Sequence, residues 1–294
     1  MAAPTTIATS GHRSRASAPG RRVRRLPNIG AGIGGFVWLA VIIVPIYYVV
    51  ISSLRGQAGF FSGNPLAIPD HVSLDKYALV LQSGFGRYFL NSVVITVASV
   101  VVTVALSLMA AYAVVRGEGR IARMSFSAFL LGLAIPVHAT IIPLYYMITR
   151  LHLYDSLLAL ILPSIGFAIP ITVLILANFI RDIPKELFES MRMDGATDWV
   201  MLWRLVLPLA RPALVTVGIY DALHVWNGFL FPLILTQSAD LRVLPMALWA
   251  FQGEFTVDVP AVLAAVVLST LPMLVAYVLG RRHLVRGLTA GFSK

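Results

Sequence analysis

Arg181–Arg211 reads RDIPKELFESMRMDGATDWVMLWRLVLPLAR, and the way this segment sits among its neighbours decides the fold. It is too polar to cross a bilayer, yet it is patterned as two short helices. Pro184 suits a first helical turn, and Lys185, Glu186 and Glu189 sit around Leu187, Phe188 and Met191 at helical spacing. Gly195 then supplies a turn, because glycine enters left-handed backbone space without steric cost. A second helix is expected to set Trp199, Leu202, Trp203 and Val206 on one side, with Thr197 or Asp198 near its start. Pro208 and Pro212 are expected to break it. Two uses fit a short amphipathic pair of this kind: lying on a lipid interface, where tryptophans are at home, or pressing into a groove on a partner protein.

Outward from this hairpin the chain turns apolar in both directions. Windows without Asp, Glu, Lys or Arg run Leu26–Leu54, Tyr88–Val115, Met124–Thr149, Ser156–Ile180 and Val259–Gly280, and Pro212–Ala239 is broken only by Asp221. Each is longer than the ~20 residues a helix needs to cross the hydrocarbon core. Backbone groups in lipid must pair within their own segment, so helices are expected there. The composition agrees: 58% of the 294 residues are hydrophobic and 12% charged, against roughly 45–50% and about 25% in ordinary soluble domains. That excludes a soluble enzyme or DNA-binding protein, and disorder over most of the chain. The absence of cysteine removes disulfides, thiolate metal sites and cysteine nucleophiles. The fold class is therefore an all-α integral membrane protein with six transmembrane helices and the polar hairpin between spans four and five.

Charge sets the orientation. With the N-terminus inside, eighteen Lys and Arg fall on the cytoplasmic side, including Arg181, Lys185, Arg192, Arg204 and Arg211 of the hairpin, against five outside (Arg55, Lys76, Arg87, Arg150 and Arg242). Both termini are expected in the cytoplasm. The net charge of +10 then reflects topology and attraction to membrane lipid rather than nucleic acid. Residues 1–28 read as a disordered basic tail, and 29–294 as the six-span domain. Gly30, Gly32 and Gly35 spell GxGxxG, but no strand precedes them to aim a phosphate loop. The loop Arg55–Arg87 fits either a surface connector or a docking face.

The hairpin also carries a resemblance. Glu189-Ser190-Met191, Asp194-Gly195-Ala196 and Leu207-Pro208 resemble, in spacing, the EAA loop of ATP-binding-cassette importer permeases, with Ile183–Leu187 similar to its lead-in. Ser190 and Met191 stand where that family has two alanines. Arg87–Ser92, Trp226–Leu233 and Leu284–Gly291 resemble the carbohydrate-uptake, maltose-type branch, which puts most of 87–294 in register. The resemblance implies a permease without an enzymatic site of its own. It also implies a cytoplasmic ATPase dimer as partner, a second homologous permease and an extracytoplasmic solute-binding protein. Glu186, Glu189, Asp194, Gly195, Ala196, Leu207 and Pro208 would form the ATPase-coupling loop. The absence of a GxxxxGK[ST] phosphate loop is consistent with ATP being hydrolysed elsewhere.

For the solute path, Asp221 and His224 share one helix face, and Asn227 continues it three residues later. An ionisable group in a bilayer costs ~2.5–3.5 kcal/mol on insertion scales, so the pair asks for a reason. Either it lines a polar path, together with Trp226 and Asn91, or Asp221 pairs with His224 or a neighbouring helix in a packed cluster. His138, beside Pro136, is expected to cap carbonyls freed by that proline, and Tyr112 and Asn178 to bond between helices. No metal site and no cofactor are expected. The function expected is ATP-driven import of a sugar or oligosaccharide. Two alternatives stand beside it: an importer permease of the same kind for a non-sugar solute, and an ion-driven secondary transporter.

Overall fold

The structure, a computed structural model, describes residues 29–61, 64–69, 71–251 and 257–290, so the basic tail expected over 1–28 lies outside it. Helix α1 (Ile29–Ser53) holds Gly30, Gly32 and Gly35 inside its opening turns, where no phosphate-cradling loop exists. By contacts the chain divides into Met1–Pro45 and Ile46–Lys294. In the first unit the described residues are the beginning of α1, exposed on every side, with Phe36 and Trp38 among them.

The second unit contains the remaining helices. They are α2 (Gln57–Phe61), α3 (Asp75–Val80), α4 (Gly86–Arg116), α5 (Gly119–Leu133), α6 (Ile141–Arg150), α7 (Leu157–Arg181), α8 (Lys185–Met193), α9 (Asp198–Met201), α10 (Leu207–Leu209), α11 (Arg211–Trp226), α12 (Leu230–Leu235), α13 (Leu244–Ala247) and α14 (Val259–Ala290). A π-type turn over Leu81–Phe85, with Gly84 at φ 92°, joins α3 to α4. The core of the unit is α4 packed along α7, with α11 against both and α14 against α11. One edge of α4 is made of small hydroxyl residues. Ser92, Thr96, Ser99, Thr103 and Ser107 recur at three- and four-residue spacing and are all buried. Lipid gives helices little hydrophobic reason to associate, so small residues that let backbones approach are what hold such a seam.

Four helical stretches among the described residues are long and apolar enough to cross a membrane alone. Two bent pairs pass only when each is counted as one span, Gly119–Leu133 with Val137–Arg150, and Asp198–Leu209, the second arm of the hairpin, with Arg211–Trp226, which gives up to six. The third and fifth apolar windows are not single helices. In the third, α5 and the segment Val137–Arg150 meet at 93°. Pro136 has no N–H to give and pushes Ile135 out of helical space. His138, expected to cap that break, is exposed in the turn Val137–Thr140. In the fifth, α11 ends at Trp226 and α12 begins at Leu230. Continuing the helix would drive the ring of Pro232 into the carbonyl of Gly228.

At the end of the bundle away from the hairpin, loops are tied down by polar contacts. The buried guanidinium of Arg55 donates to the carbonyls of Asn64 (3.0 Å) and Ala67, folding the first loop back on itself. Asn91 donates to the carbonyls of Asp240 (2.8 Å) and Arg242 (3.0 Å). Asp155, at φ 58°, accepts from the Ser238 hydroxyl and from the N–H groups of Gln237 (2.8 Å) and Ser238 (3.0 Å). The Ser238 hydroxyl and these two amides hold the Asp155 carboxyl below the usual carboxylate range. A depressed folded-state pKa contributes stability that is present above the unfolded value of about 3.9 and is lost as pH falls through the folded value. Asp155→Asn should therefore lower the melting temperature at pH 7. The gap from the wild type should close as the scan is repeated at pH values falling below about 4.

Candidate functional site

The hairpin folds as its sequence dictates, and its turn is a complete helix-ending motif. Asp194 closes α8, Gly195 follows at φ 79°, the Gly195 N–H bonds to the Arg192 carbonyl (3.0 Å), and the Ala196 N–H to the Met191 carbonyl (2.9 Å). That pair of bonds requires a left-handed residue between them. A Cβ at Gly195 would meet nothing, so conformation alone, and not space, selects glycine there. Thr197 caps α9 by accepting from the Val200 N–H (3.4 Å). A π-type turn over Leu202–Val206 leads to α10, where Leu207 is half-buried and Pro208 exposed. The break before the next span falls at Ala210, between the two prolines expected to cause it, and Asp198–Leu209 meets α11 at 76°.

Two faces emerge. The inner one is rooted in the spans: Phe188 is fully buried with Ile183, Met201, Leu202 and Val206 against Tyr112 of α4 and Leu176, Ala177 and Ile180 of α7. The Arg116 guanidinium lies 4.2 Å from the centre of the Phe188 ring. Tyr112 donates to Asp198 (3.0 Å), which also receives Arg192 (3.1 Å). The outer face presents Glu186, Glu189 and Asp194 with Met193, which is 87% exposed. Trp199 and Trp203 stay exposed, stacking edge to face at 5.5 Å, while Leu202 and Val206 turn inward. The expectation of all four on one side is corrected here, because the spans cover only part of the apolar arc.

A second feature lies between α4, α5, α7, α11 and α12, a cavity of about 420 Å³, within the ~300–1,000 Å³ of small-molecule sites. Asp221 and His224 both line it, but they do not pair. Asp221, 1% exposed, accepts from the Thr172 hydroxyl (3.0 Å), and its second carboxylate oxygen has no hydrogen-bond partner among the described residues. His224 stacks on Tyr220 one turn earlier, with its Nε2 3.3 Å from the tyrosine oxygen. Phe167 and Phe231 stack across the cavity wall at 5.7 Å. The other expected path residues lie elsewhere. Trp226 is buried, donating to the Ser269 carbonyl (3.2 Å) and stacking on Phe89. Asn227 donates to the Leu223 carbonyl (2.8 Å), closing its own helix, and Asn91 ties down the distant loop. Thr172, Tyr220 and Phe167 escaped the sequence reading. Thr172, a hydroxyl within an apolar span, carried the signal, whereas aromatic residues in such a run carry none.

A bundle of membrane-length helices, broken around a central cavity and carrying a polar hairpin on one end, defines a multi-pass membrane permease. The chain belongs to the family of binding-protein-dependent transport system inner membrane components, whose model matches residues 103–289. It is 38% identical over 258 residues to a putative ABC transporter permease protein, ORF2, of Caldicellulosiruptor sp., covering 88% of this chain and 94% of that one. It is 33% identical to the diacetylchitobiose uptake system permease protein NgcG of Streptomyces coelicolor, covering 87% and 85% of the two chains. Against the trehalose transport system permease protein SugB of Mycobacterium tuberculosis the identity is 32%, with 86% and 92% covered. Its fold matches that of a chain in a bacterial ABC transporter involved in import of the acidic polysaccharide alginate, at a TM-score of 0.76 and 22% identity, covering 90% of this chain and 99% of that one.

The turn at Gly195 gives a direct test. A non-glycine residue in left-handed space costs roughly 1–2 kcal/mol, and asparagine tolerates it best. Gly195→Ala should reduce transport by the assembled importer several-fold without changing membrane insertion, and Gly195→Asn should retain most of it. Uptake into cells with matched membrane levels of the variants checks both.

Proposed function

We propose that this chain is one permease subunit of an ATP-driven importer of a sugar or oligosaccharide, in which the α8–α9 hairpin couples closure of a cytoplasmic ATPase dimer to rearrangement of the spans. The observation that carries the reading is the two-faced hairpin. Its outer face offers exposed Glu186, Glu189, Asp194 and Met193, and its inner face is locked into α4 and α7 through Phe188. An exposed face mixing acid and apolar groups suits a groove on a partner. The buried root makes any displacement of the hairpin a displacement of the spans. The excess of Lys and Arg on the hairpin side supports a cytoplasmic position for it and for both termini. The carbohydrate class is supported by relatives whose names specify diacetylchitobiose and trehalose. A second permease would complete the pathway, and a solute-binding protein would deliver to the opposite end.

The cavity beside Asp221 is then this subunit's share of the path. Aromatic faces such as Phe167 and Phe231 suit the apolar faces of sugar rings, and Ser164 and His224 supply polar contacts.

Two experiments test this. The chain has no cysteine, so Met193→Cys introduces a sole thiol. It should crosslink to the ATPase subunit in native membranes and resist impermeant reagents added from outside. Labelling from outside with no ATPase adduct refutes the coupling role. For the path, Asp221→Ala and Thr172→Val should each cut uptake about five- to 150-fold, the range of about 1–3 kcal/mol for a buried hydrogen-bonding group left unpaired. The double variant should be little worse than either, because the two residues act as one unit. Initial uptake rates in proteoliposomes holding the whole importer measure this.

A further inference from the structure

A crevice of about 370 Å³ opens between the last turn of α4 and the hairpin. Its polar members are Arg116, Arg192, Asp198 and Tyr112, and its apolar wall includes Met109 and Trp199. Asp198 is already engaged on one oxygen by both Tyr112 and Arg192. Arg116 is different. It forms no ion pair among the described residues, its Nε is buried without a hydrogen-bond partner, and its guanidinium rests on the Phe188 ring. A guanidinium set against an aromatic ring, with no acidic partner of its own among the described residues, is free to take an oxyanion on its terminal nitrogens.

The surroundings say which kind. Arg116 ends a helix of 31 residues, about 46 Å long at 1.5 Å per residue, so it stands at head-group depth when the helix crosses a ~30 Å core. Above it on α4, Val97, Val101 and Met109 form an exposed apolar track descending to the crevice, and the exposed Trp199 indole at its mouth is a residue favoured at membrane interfaces. We propose that this crevice binds the phosphodiester head group of one anionic phospholipid, with Arg116 as the principal ligand and an acyl chain along the α4 track. Basic pockets between helices at the cytoplasmic surface are suited to such head groups. Because Arg116 also stacks on Phe188, the bound lipid braces the root of the hairpin.

The test uses the full chain in neutral detergent, titrated with phosphatidylglycerol or phosphatidylcholine and observed by native mass spectrometry. The first phosphatidylglycerol should bind at least about fivefold more tightly than phosphatidylcholine, the expectation for one arginine at a charged head group. Arg116→Gln should abolish the preference, Arg116→Lys should keep part of it, and Arg120→Gln, an exposed arginine outside the crevice, should keep all of it. Millimolar inorganic phosphate should not displace the lipid. Equal binding of the two lipids to the wild type overturns the proposal even if Arg116→Gln fails to insert. So does equal loss in the Arg120 variant, which would reduce the effect to surface charge, or full competition by phosphate, which would make the crevice a free-anion site.

Discussion

One side chain, Phe188, decides whether the hairpin is a lever or a flap. It leaves a helix that is otherwise largely exposed and enters the seam where α4 and α7 meet. Emptying such a site costs about 3–5 kcal/mol, and the cation resting on the ring adds about 0.5–2 kcal/mol. Coupling free energies between sites are usually about 1–3 kcal/mol. In the proposed coupling the root would therefore be stronger than the signal it carries, and a pull on the outer face would move α4 and α7 before it drew Phe188 out. Met201, Leu202 and Val206, buried on the other arm, reinforce this. The glycine turn between the arms fixes their angle with two backbone hydrogen bonds, so the arms move together.

The spans obey a different constraint. Backbone groups in lipid must be satisfied, and irregular backbone is tolerated at membrane depth only where protein or a water-filled cavity surrounds it. Both broken windows meet that condition at the same place: Ile135 and Val137 of one break and Gly228 and Phe229 of the other all line the cavity. The breaks and the cavity are thus one feature. Straightening either window would fill the space with helix and remove the reason for Asp221 and His224 to be there.

Much of this was legible in the sequence, for identifiable reasons. Membrane helices are written in runs of apolar residues whose required length is set by the bilayer, so the windows could be counted directly. The hairpin could be read because Gly195 and Thr197 act through local backbone geometry that needs no partner. What could not be read depends on three-dimensional neighbours. Asp221 and His224 sit three apart on one helix; of the partners left open for Asp221 it is the neighbouring helix α7 that supplies one, Thr172, while His224 turns to Tyr220 on its own helix. Trp226 and Asn227 continue the same stretch, but the helix ends between them, so one becomes packing and the other a cap. The two tryptophans of the hairpin lie on an apolar arc wider than the spans can cover, and no sequence period says which part of an arc is left outside.

Asp221 also bears on what fills the cavity. An ionisable side chain at the centre of a spanning helix costs ~2.5–3.5 kcal/mol on insertion scales. A hydrogen bond to a charged group returns ~1.5–3 kcal/mol, and Thr172 gives Asp221 one such bond. One bond to one oxygen leaves the other to be solvated, and no protein group among the described residues does so. A cavity of about 420 Å³ has room for roughly a dozen waters at ≈ 30 Å³ each. The unpaired oxygen is itself buried and Asp221 is 1% exposed, so the acid sits in the wall of the cavity and its unmet demand is carried within the seam between α7 and α11. A chamber bordered by two broken helices, walled by aromatic faces and joined through α4 and α7 to the buried root of the hairpin has the parts that the proposed alternating access by a hydroxylated solute requires.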